Sequence, residues 1–287
     1  MPSLKDIRRR IASVRKTQQI TRAMRMVAGA KLRRAEQAIL SARPYAAQMR
    51  EALAEVARAQ RGEAEHPLLA AHPELRRVEL LVVSSDRGLC GAFNANVIKH
   101  ADRLCRERAE RGQEVHLTCA GRKAGDFFRK RRPKQLLGVR ALEGWVGYAK
   151  AAAIAREISA RYVAGDCDEA LIVYNEFVNA MTQRPRDVRL LPFASPALEG
   201  ERPLPFEIEP SPAKLLELIV PKAVEVEVYR ALLESQSGEH AARMTAMESA
   251  TRNTEELISS LTLKFNRARQ AAITKELVEI VSGAEAL

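Results

Sequence analysis

No run of apolar residues in this 287-residue sequence reaches the ~18 to 20 that cross a membrane, so no spanning helix is expected. The opening stretch, MPSLKDIRRRIASVRK, is too charged for a secretory signal. There is no C-x-x-C, and Cys90, Cys105, Cys119 and Cys167 stand apart from one another and from histidines at metal-ligand spacing. Zinc sites and a disulfide framework are therefore not expected, and four free, mostly buried thiols are. His66, His72, His100, His116 and His240 are equally scattered, so no metal site is read. Aromatics make up only 5% of the chain, which argues against a β-rich body. A soluble, cytosolic protein is the expectation.

Glycine is scarce where it matters most. Residues 3–61 hold Gly29 and Pro44 as their only breakers, and residues 213–282 hold only Pro221 and Gly238, whereas 11 of the 14 glycines fall between Gly62 and Gly200. Ends so poor in breakers predict helices far longer than the usual ~11 to 12 residues. Charge divides along the same lines. Residues 1–60 carry 14 Lys/Arg against 4 Asp/Glu, and residues 209–287 carry 9 against 12, within a net charge of +11. A basic end and a mildly acidic end fit two segments that lie together.

Apolar spacing supports that pairing. Alternating steps of three and four from Leu4 pass through Ile7, Ile11, Val14, Gln18, Thr21, Arg25, Ala28, Leu32, Ala35, Ile39, Ala42, Ala46, Met49, Leu53 and Val56. Only Gln18, Thr21 and Arg25 break the apolar pattern of a coiled-coil seam. Across them the apolar stripe moves to Ile20, Met24 and Val27, where something other than the partner helix is expected to face it. In the last segment Leu215, Ile219, Val226, Tyr229, Leu233, His240, Met244, Met247, Thr251, Thr254, Ile258, Leu261, Phe265, Ala268 and Ala272 share one slowly drifting face. Pro221 is expected to break or kink the start of this helix. At 1.5 Å per residue the two helices are ~80 Å and roughly 100 Å long, which predicts an antiparallel pair.

The middle alternates strand and helix. Strands are read at 78–85, 114–121, 169–178 and 187–193, the last two as a hairpin, and helices at about 94–111, 122–132 and 148–165. That order predicts a Rossmann-like α/β domain with a mostly parallel sheet. The expected division is an N-terminal coiled-coil helix at 1–60, a globular α/β domain at 61–208 and a C-terminal coiled-coil helix at 209–287.

Three features invite a chemical reading. DRGLCGAFN (86–94), with Gly88 and Gly91, is either a phosphate cradle or a tight strand-to-helix turn; it has no Walker Lys-Ser/Thr and no G-x-G-x-x-G. The basic first helix suits either nucleic acid or a protein partner, although no aromatic residue precedes Tyr45. The apolar Leu277, Ile280 and Val281 near the end suit either ordinary coiled-coil termination or insertion into an apolar collar. No catalytic acid–base pair or nucleophile motif stands out. A nucleotide-binding α/β enzyme with helical arms and a basic coiled-coil nucleic-acid binder are thus the alternatives to a structural shaft.

MPSLKDIRRRIASVRKTQQITRAMRMVAGAKLRRAE, SSDRGLCGAFNANV and ARMTAMESATRNTEELISSLTLKFNRARQAAITKELVEIVSGAEAL together resemble the opening, internal and closing stretches of ATP synthase gamma subunits. The resemblance implies a non-catalytic rotor shaft with partners in the alpha and beta subunits, the epsilon subunit and the c-subunit ring. It implies no nucleic acid, no cofactor, and membrane contact only through the ring. Carried over by position, Arg269, Gln270 and Thr274 match polar contacts to a beta-subunit loop, Met24 a shaft contact, and Leu277, Ile280 and Val281 a tip held in an apolar collar. The Gly88–Gly91 loop has no nucleotide role in the family, and the chloroplast cysteine insert is absent, so no thiol switch is expected. The MPSLKDIR start, with no presequence before it, favours a bacterial protein at the cytoplasmic face of the plasma (inner) membrane.

Overall fold

The computed structural model describes residues 3–59, 66–194, 209 and 211–285. The elements are α1 (Leu4–Ala59), β1 (Arg77–Val83), α2 (Phe93–Glu110), β2 (Glu114–Ala120), α3 (Arg122–Arg131), β3 (Leu136–Arg140), α4 (Tyr148–Val163), β4 (Glu169–Phe177), β5 (Gln183–Leu191) and α5 (Pro212–Glu285). By contacts the chain falls into two compact units, Met1–Gly29 with Arg243–Leu287, and Ala30–Ala242.

In the first unit α1 starts on a capping box. Ser3 Oγ donates to Asp6 Oδ2 at 2.7 Å, and the Asp6 N–H donates back to Ser3 Oγ at 3.2 Å, which satisfies donors that a helix start leaves orphaned. The two helices run antiparallel here. Gln18 meets Glu255, Thr21 meets Thr251, Arg25 meets Glu248 and Gly29 meets Met244, so positions rise along one helix as they fall along the other. Every heptad position read from Leu4 to Val56 is buried or half-buried, and no residue of the drifting face from Leu215 to Ala272 is exposed.

The second unit is built on a sheet of order β3-β2-β1-β4-β5, parallel except for β5, which pairs antiparallel with β4 as the expected hairpin. β1 is central and buried on both sides, the pattern of a parallel strand covered by helices. Alternation sorts its side chains. Val78, Leu80 and Val82 join α2 and α3 in one cluster, whereas Leu81 and Val83 join α4, the start of α5 and the end of α1 in the other. Buried Glu79 breaks the apolar run but is not left unpaired. It accepts two hydrogen bonds from Arg161 of α4, at 2.6 and 2.8 Å, and one from Thr118 Oγ1 at 2.6 Å.

Two readings need correction. α5 runs through Pro221 without the break that was one of the two outcomes expected there, a break or a kink. A proline inside a helix costs about 3 kcal/mol, but flanking Val220, Ala223 and Val224 are buried against the sheet and hold the helix in place. Strand β3 had no counterpart in the sequence reading. It is short, half-exposed and interrupted by Gly138, and it exists because β2 offers it an edge.

Gly121 marks the tightest turn of this unit. Its φ is +107°, and a Cβ there would lie 2.1 Å from the Ser84 carbonyl oxygen. Gly121→Ala should therefore destabilise the unit by at least about 3 kcal/mol. Gly112→Ala, at φ +74° in open space, should cost only about 1 to 2 kcal/mol. Urea unfolding of the two variants checks the difference; equal losses would refute the steric account.

Candidate functional surfaces

The polar interruption of the first helix stays in the helix seam. Thr21 is buried, and its hydroxyl lies 2.8 Å from that of Thr251. Thr21 also reaches the Gln18 carbonyl at 3.0 Å and Thr251 the Met247 carbonyl at 2.7 Å. Two hydroxyl protons are thus shared among three contacts, and no polar atom of the pair is stranded. Around them Gln18 Nε2 donates to Glu255 Oε1 at 3.1 Å, with Arg22–Glu255 at 3.6 Å and Arg25–Glu248 at 3.7 Å. These ion pairs are about half exposed and worth at most about 1 kcal/mol each. Their effect is on register, with bases of α1 facing acids of α5.

Because the seam keeps Gln18, Thr21 and Arg25, the apolar stripe beside them turns outward. Ile20 is 59% and Val27 56% exposed, and Met24 is half-buried. Apolar area is thus left uncovered on an otherwise charged helix.

At the other end of the same unit, Arg269, Gln270 and Thr274 are exposed, and so are Leu277, Ile280 and Val281, at 57%, 68% and 55%. The pairing register explains why. If Thr21 stands opposite Thr251, then Leu4 stands near residue 268, and the described part of α1 has no residues left to cover the remaining turns of α5. The tip therefore continues as a single helix with an uncovered apolar face. No described residue of α1 reaches that face. The structure places the polar trio before the apolar trio on one helix and brings neither against Met24.

The glycine-rich loop is closed on itself. The Asn94 side chain accepts from the Ser85 N–H at 2.9 Å and donates to Ser85 Oγ at 2.8 Å, and Ser85 Oγ donates to the Arg87 carbonyl at 2.6 Å. Its turn is made with Gly91 at φ +57° and, unforeseen in the sequence, Leu89 at φ +63° with 64% exposure. A non-glycine residue in that region is uncommon and carries strain. The sequence signal that could have found Leu89 is its place between two glycines in a turn too short for ordinary angles.

Among the described residues no group of three or more His, Cys, Asp or Glu side chains could hold a metal ion, and no helix is long and apolar enough to cross a membrane. All four cysteines are free and buried, and burial pushes the Cys105 thiol up to about 11 and those of Cys119 and Cys167 up to about 12. Such thiols stay protonated and inert at neutral pH. A cavity of about 720 Å³ opens between α1 and α5, lined by Tyr45, Tyr148, Tyr229 and Leu233 among others, and does not reach the glycine-rich loop.

A pair of long antiparallel helices with uncovered apolar groups, in one chain with a Rossmann-ordered sheet whose glycine loop is self-satisfied, defines a stalk-type coiled-coil protein. A family model described as ATP synthase matches residues 3–287. An ATP synthase gamma chain of Anaeromyxobacter sp. (strain Fw109-5) is 51% identical, with 100% of each chain covered. Among solved structures, the central stalk and c-ring of the Tetrahymena thermophila mitochondrial ATP synthase contains a chain 25% identical, with 80% of this chain and 99% of that one covered at a TM-score of 0.62. A chain of the Euglena gracilis mitochondrial ATP synthase, in an assembly of OSCP, F1 and c-ring, is 20% identical with a TM-score of 0.70 over 99% of this chain and 94% of its own, and shows the same fold. The chain belongs to the ATP synthase gamma chain family.

The hydroxyl pair yields a stability test. Thr21→Val removes one hydroxyl but leaves Thr251 its bond to Met247, so the loss should stay within about 1 kcal/mol. Thr21→Asp puts a charge in the buried seam and should cost on the order of 3 kcal/mol. Both are read from thermal or urea melting of the helical signal.

Proposed function

We propose that this chain is the central rotor shaft of a bacterial rotary ATP synthase, coupling ion flow through a membrane ring of c subunits to conformational change in catalytic beta subunits. The segments 1–60 and 209–287 form the shaft inside a ring of alternating alpha and beta subunits. Residues 61–208 form the foot, which meets the epsilon subunit and the c-ring. Catalysis lies in the beta subunits, and this chain turns over no nucleotide itself. It sits at the cytoplasmic face of the plasma membrane as a peripheral protein, held through its partners.

The observation that carries this reading is the outward placement of apolar side chains that the helix pair does not use. Sites of identical sequence arranged around a shaft differ only if the shaft is asymmetric, and Ile20 and Val27 mark one side of it. Each beta conformation then prefers one face, which is differential binding of two states. Moving a two-state equilibrium from one extreme to the other takes ~5.5 kcal/mol. Burying an exposed Ile, Val or Leu yields ~1.5 to 3 kcal/mol, so about two to four such side chains per face suffice. Arg269, Gln270 and Thr274 hold a beta-subunit loop by polar contacts, Met24 adds a shaft contact, and Leu277, Ile280 and Val281 turn in the apolar collar.

Affinity purification from native membranes should recover alpha, beta and epsilon subunits with one copy of this chain per complex. Recovery of none of them, or robust ATP turnover by the purified chain alone, overturns the reading. Arg269→Ala and Gln270→Ala should each lower ATP synthesis by about tenfold, the effect of losing ~1.4 kcal/mol of differential contact, with assembly largely intact. Normal synthesis in both variants would remove these side chains from the working surface.

A further inference from the structure

Torque reaches a helix only through contacts that resist its rolling. Close packing resists rolling by shape, and hydrogen bonds add a resistance that depends on direction. Two polar contacts in the second unit are of this directional kind, and neither is explained by the surfaces described above.

The first centres on Glu225 of α5, whose side chain is only 3% exposed. Its carboxylate accepts from the Tyr148 hydroxyl at 2.5 Å, from Arg156 Nε at 2.7 Å and from Lys222 Nζ at 3.0 Å. Tyr148 and Arg156 both belong to α4, so this one buried carboxylate ties α4 to α5. Burial alone would raise its pKa, yet the hydrogen bonds from Tyr148, Lys222 and Arg156 outweigh it and hold the group below the usual carboxylate value.

The second centres on Gln236, also buried. Its Nε2 donates to the Gly144 carbonyl at 3.1 Å, and its Oε1 accepts from the Val146 N–H at 3.4 Å. The loop it holds is braced on both sides. Lys150 of α4 donates to the Leu142 and Glu143 carbonyls at 2.9 Å each, and the Arg34 guanidinium of α1 lies 4.6 Å above the Trp145 ring.

Eleven residues separate Glu225 from Gln236, three turns and about 20° of rotation, so both face the same side of α5 roughly 16 Å apart. Two directional anchors on one side at two heights stop a helix from rolling and from sliding. They add some stability too: without Glu225, Arg156 and Lys222 are exposed enough to turn to water, whereas without Gln236 the buried Val146 N–H is left unpaired at the cost of an unmade hydrogen bond. Their effect beyond that is orientation.

We infer that Glu225 and Gln236 are positioning residues that lock α5 to the α/β domain, so that rotation applied to that domain turns the helix without slip. This rests on the rotor-shaft reading and names the joint within it.

The test uses the assembled complex with a rod attached to the α/β domain through Glu110→Cys, an exposed site on α2. Angular fluctuation of the rod is recorded while the head is stalled with a non-hydrolysable nucleotide. Glu225→Met and Gln236→Leu fill the same space without the directional bonds. Anchors this far apart act independently and share the directional stiffness, so losing either should widen the angular variance by up to about twofold, with a modest fall in melting temperature and unchanged ATP hydrolysis by the head. Unwidened fluctuation in both variants overturns the joint, as does equal widening in Gly112→Ala, which loses comparable stability without touching α5. If Glu225→Met does not assemble, Tyr148→Phe removes one of its three bonds, and an unwidened variance there overturns the proposal as well. A wild-type complex in which ATP drives no rotation of the rod would instead sink the shaft reading itself.

Discussion

Everything in this molecule depends on the mutual cover of two helices too long to stand by themselves. Isolated helices draw little stability from propensity, and most of what holds a helix in a protein is the burial of its apolar face. Here α1 and α5 each supply the other's cover, with Ala28, Leu32, Ala35 and Ile39 on one side and Val226, Leu233 and Met247 on the other kept from water. Ala28, Ala35, Ala42 and Ala46 stand among larger apolar residues in the α1 stripe. Where the cover contains hydroxyls, at Thr21 and Thr251, the seam is kept by hydrogen bonds rather than released to solvent. Apolar residues displaced from the seam at that level, Ile20 and Val27, are exposed.

The same constraint gives α5 two duties. Its first turns are a wall of the α/β core, with Leu216, Val220, Val224 and Leu232 in the cluster that also takes Leu81, Ile172 and Ile158. Its last turns pair with α1 and then run on uncovered. The polar attachments of α4 add to this, since Arg161 fixes α4 to Glu79 in the central strand and Arg156 fixes it to Glu225 in α5. Load on α5 is thus passed through two charge-assisted contacts to the middle of the sheet.

Features of local origin were the ones legible in the sequence. The heptads are a period, and a period is read from neighbours three and four apart, so every position from Leu4 to Val56 lies where the spacing places it. Strand–helix alternation was equally local and predicted the parallel sheet and its antiparallel hairpin. What stayed hidden depends on tertiary neighbours. Pro221 reads as a breaker until Val220 and Val224 are seen clamped against the sheet, and β3 is no strand until β2 lends it an edge. Glu225 looks like any acid on a charged helix because its three donors come from 69 to 77 residues upstream, or from the adjacent turn of its own helix. Of the site residues, the apolar tip was visible as composition, but only the pairing register shows that α1 stops short of it.

The α/β domain carries the strand order that in other proteins makes a nucleotide cleft, at the carboxyl ends of the strands where the order reverses. In this chain that crevice, beside β1 and β4, is occupied by the chain itself. Asn94 fills the loop after β1, Asn175 of β4 donates to the Phe93 carbonyl at 3.1 Å, and α5 passes so close that a Cβ on Gly238 would lie 3.1 Å from both Phe93 and Gln183. A cleft closed by a long helix is a socket, and a socket needs close approach where a binding site needs space. That requirement explains why the only glycine between residues 213 and 282 stands where α5 crosses the end of the sheet. A larger side chain there would press on Phe93 and Gln183 at the level just above Gln236, where the grip on α5 is directional. The ligand site of the fold and the socket of the shaft occupy the same place, and filling it with helix gives up the one function in forming the other.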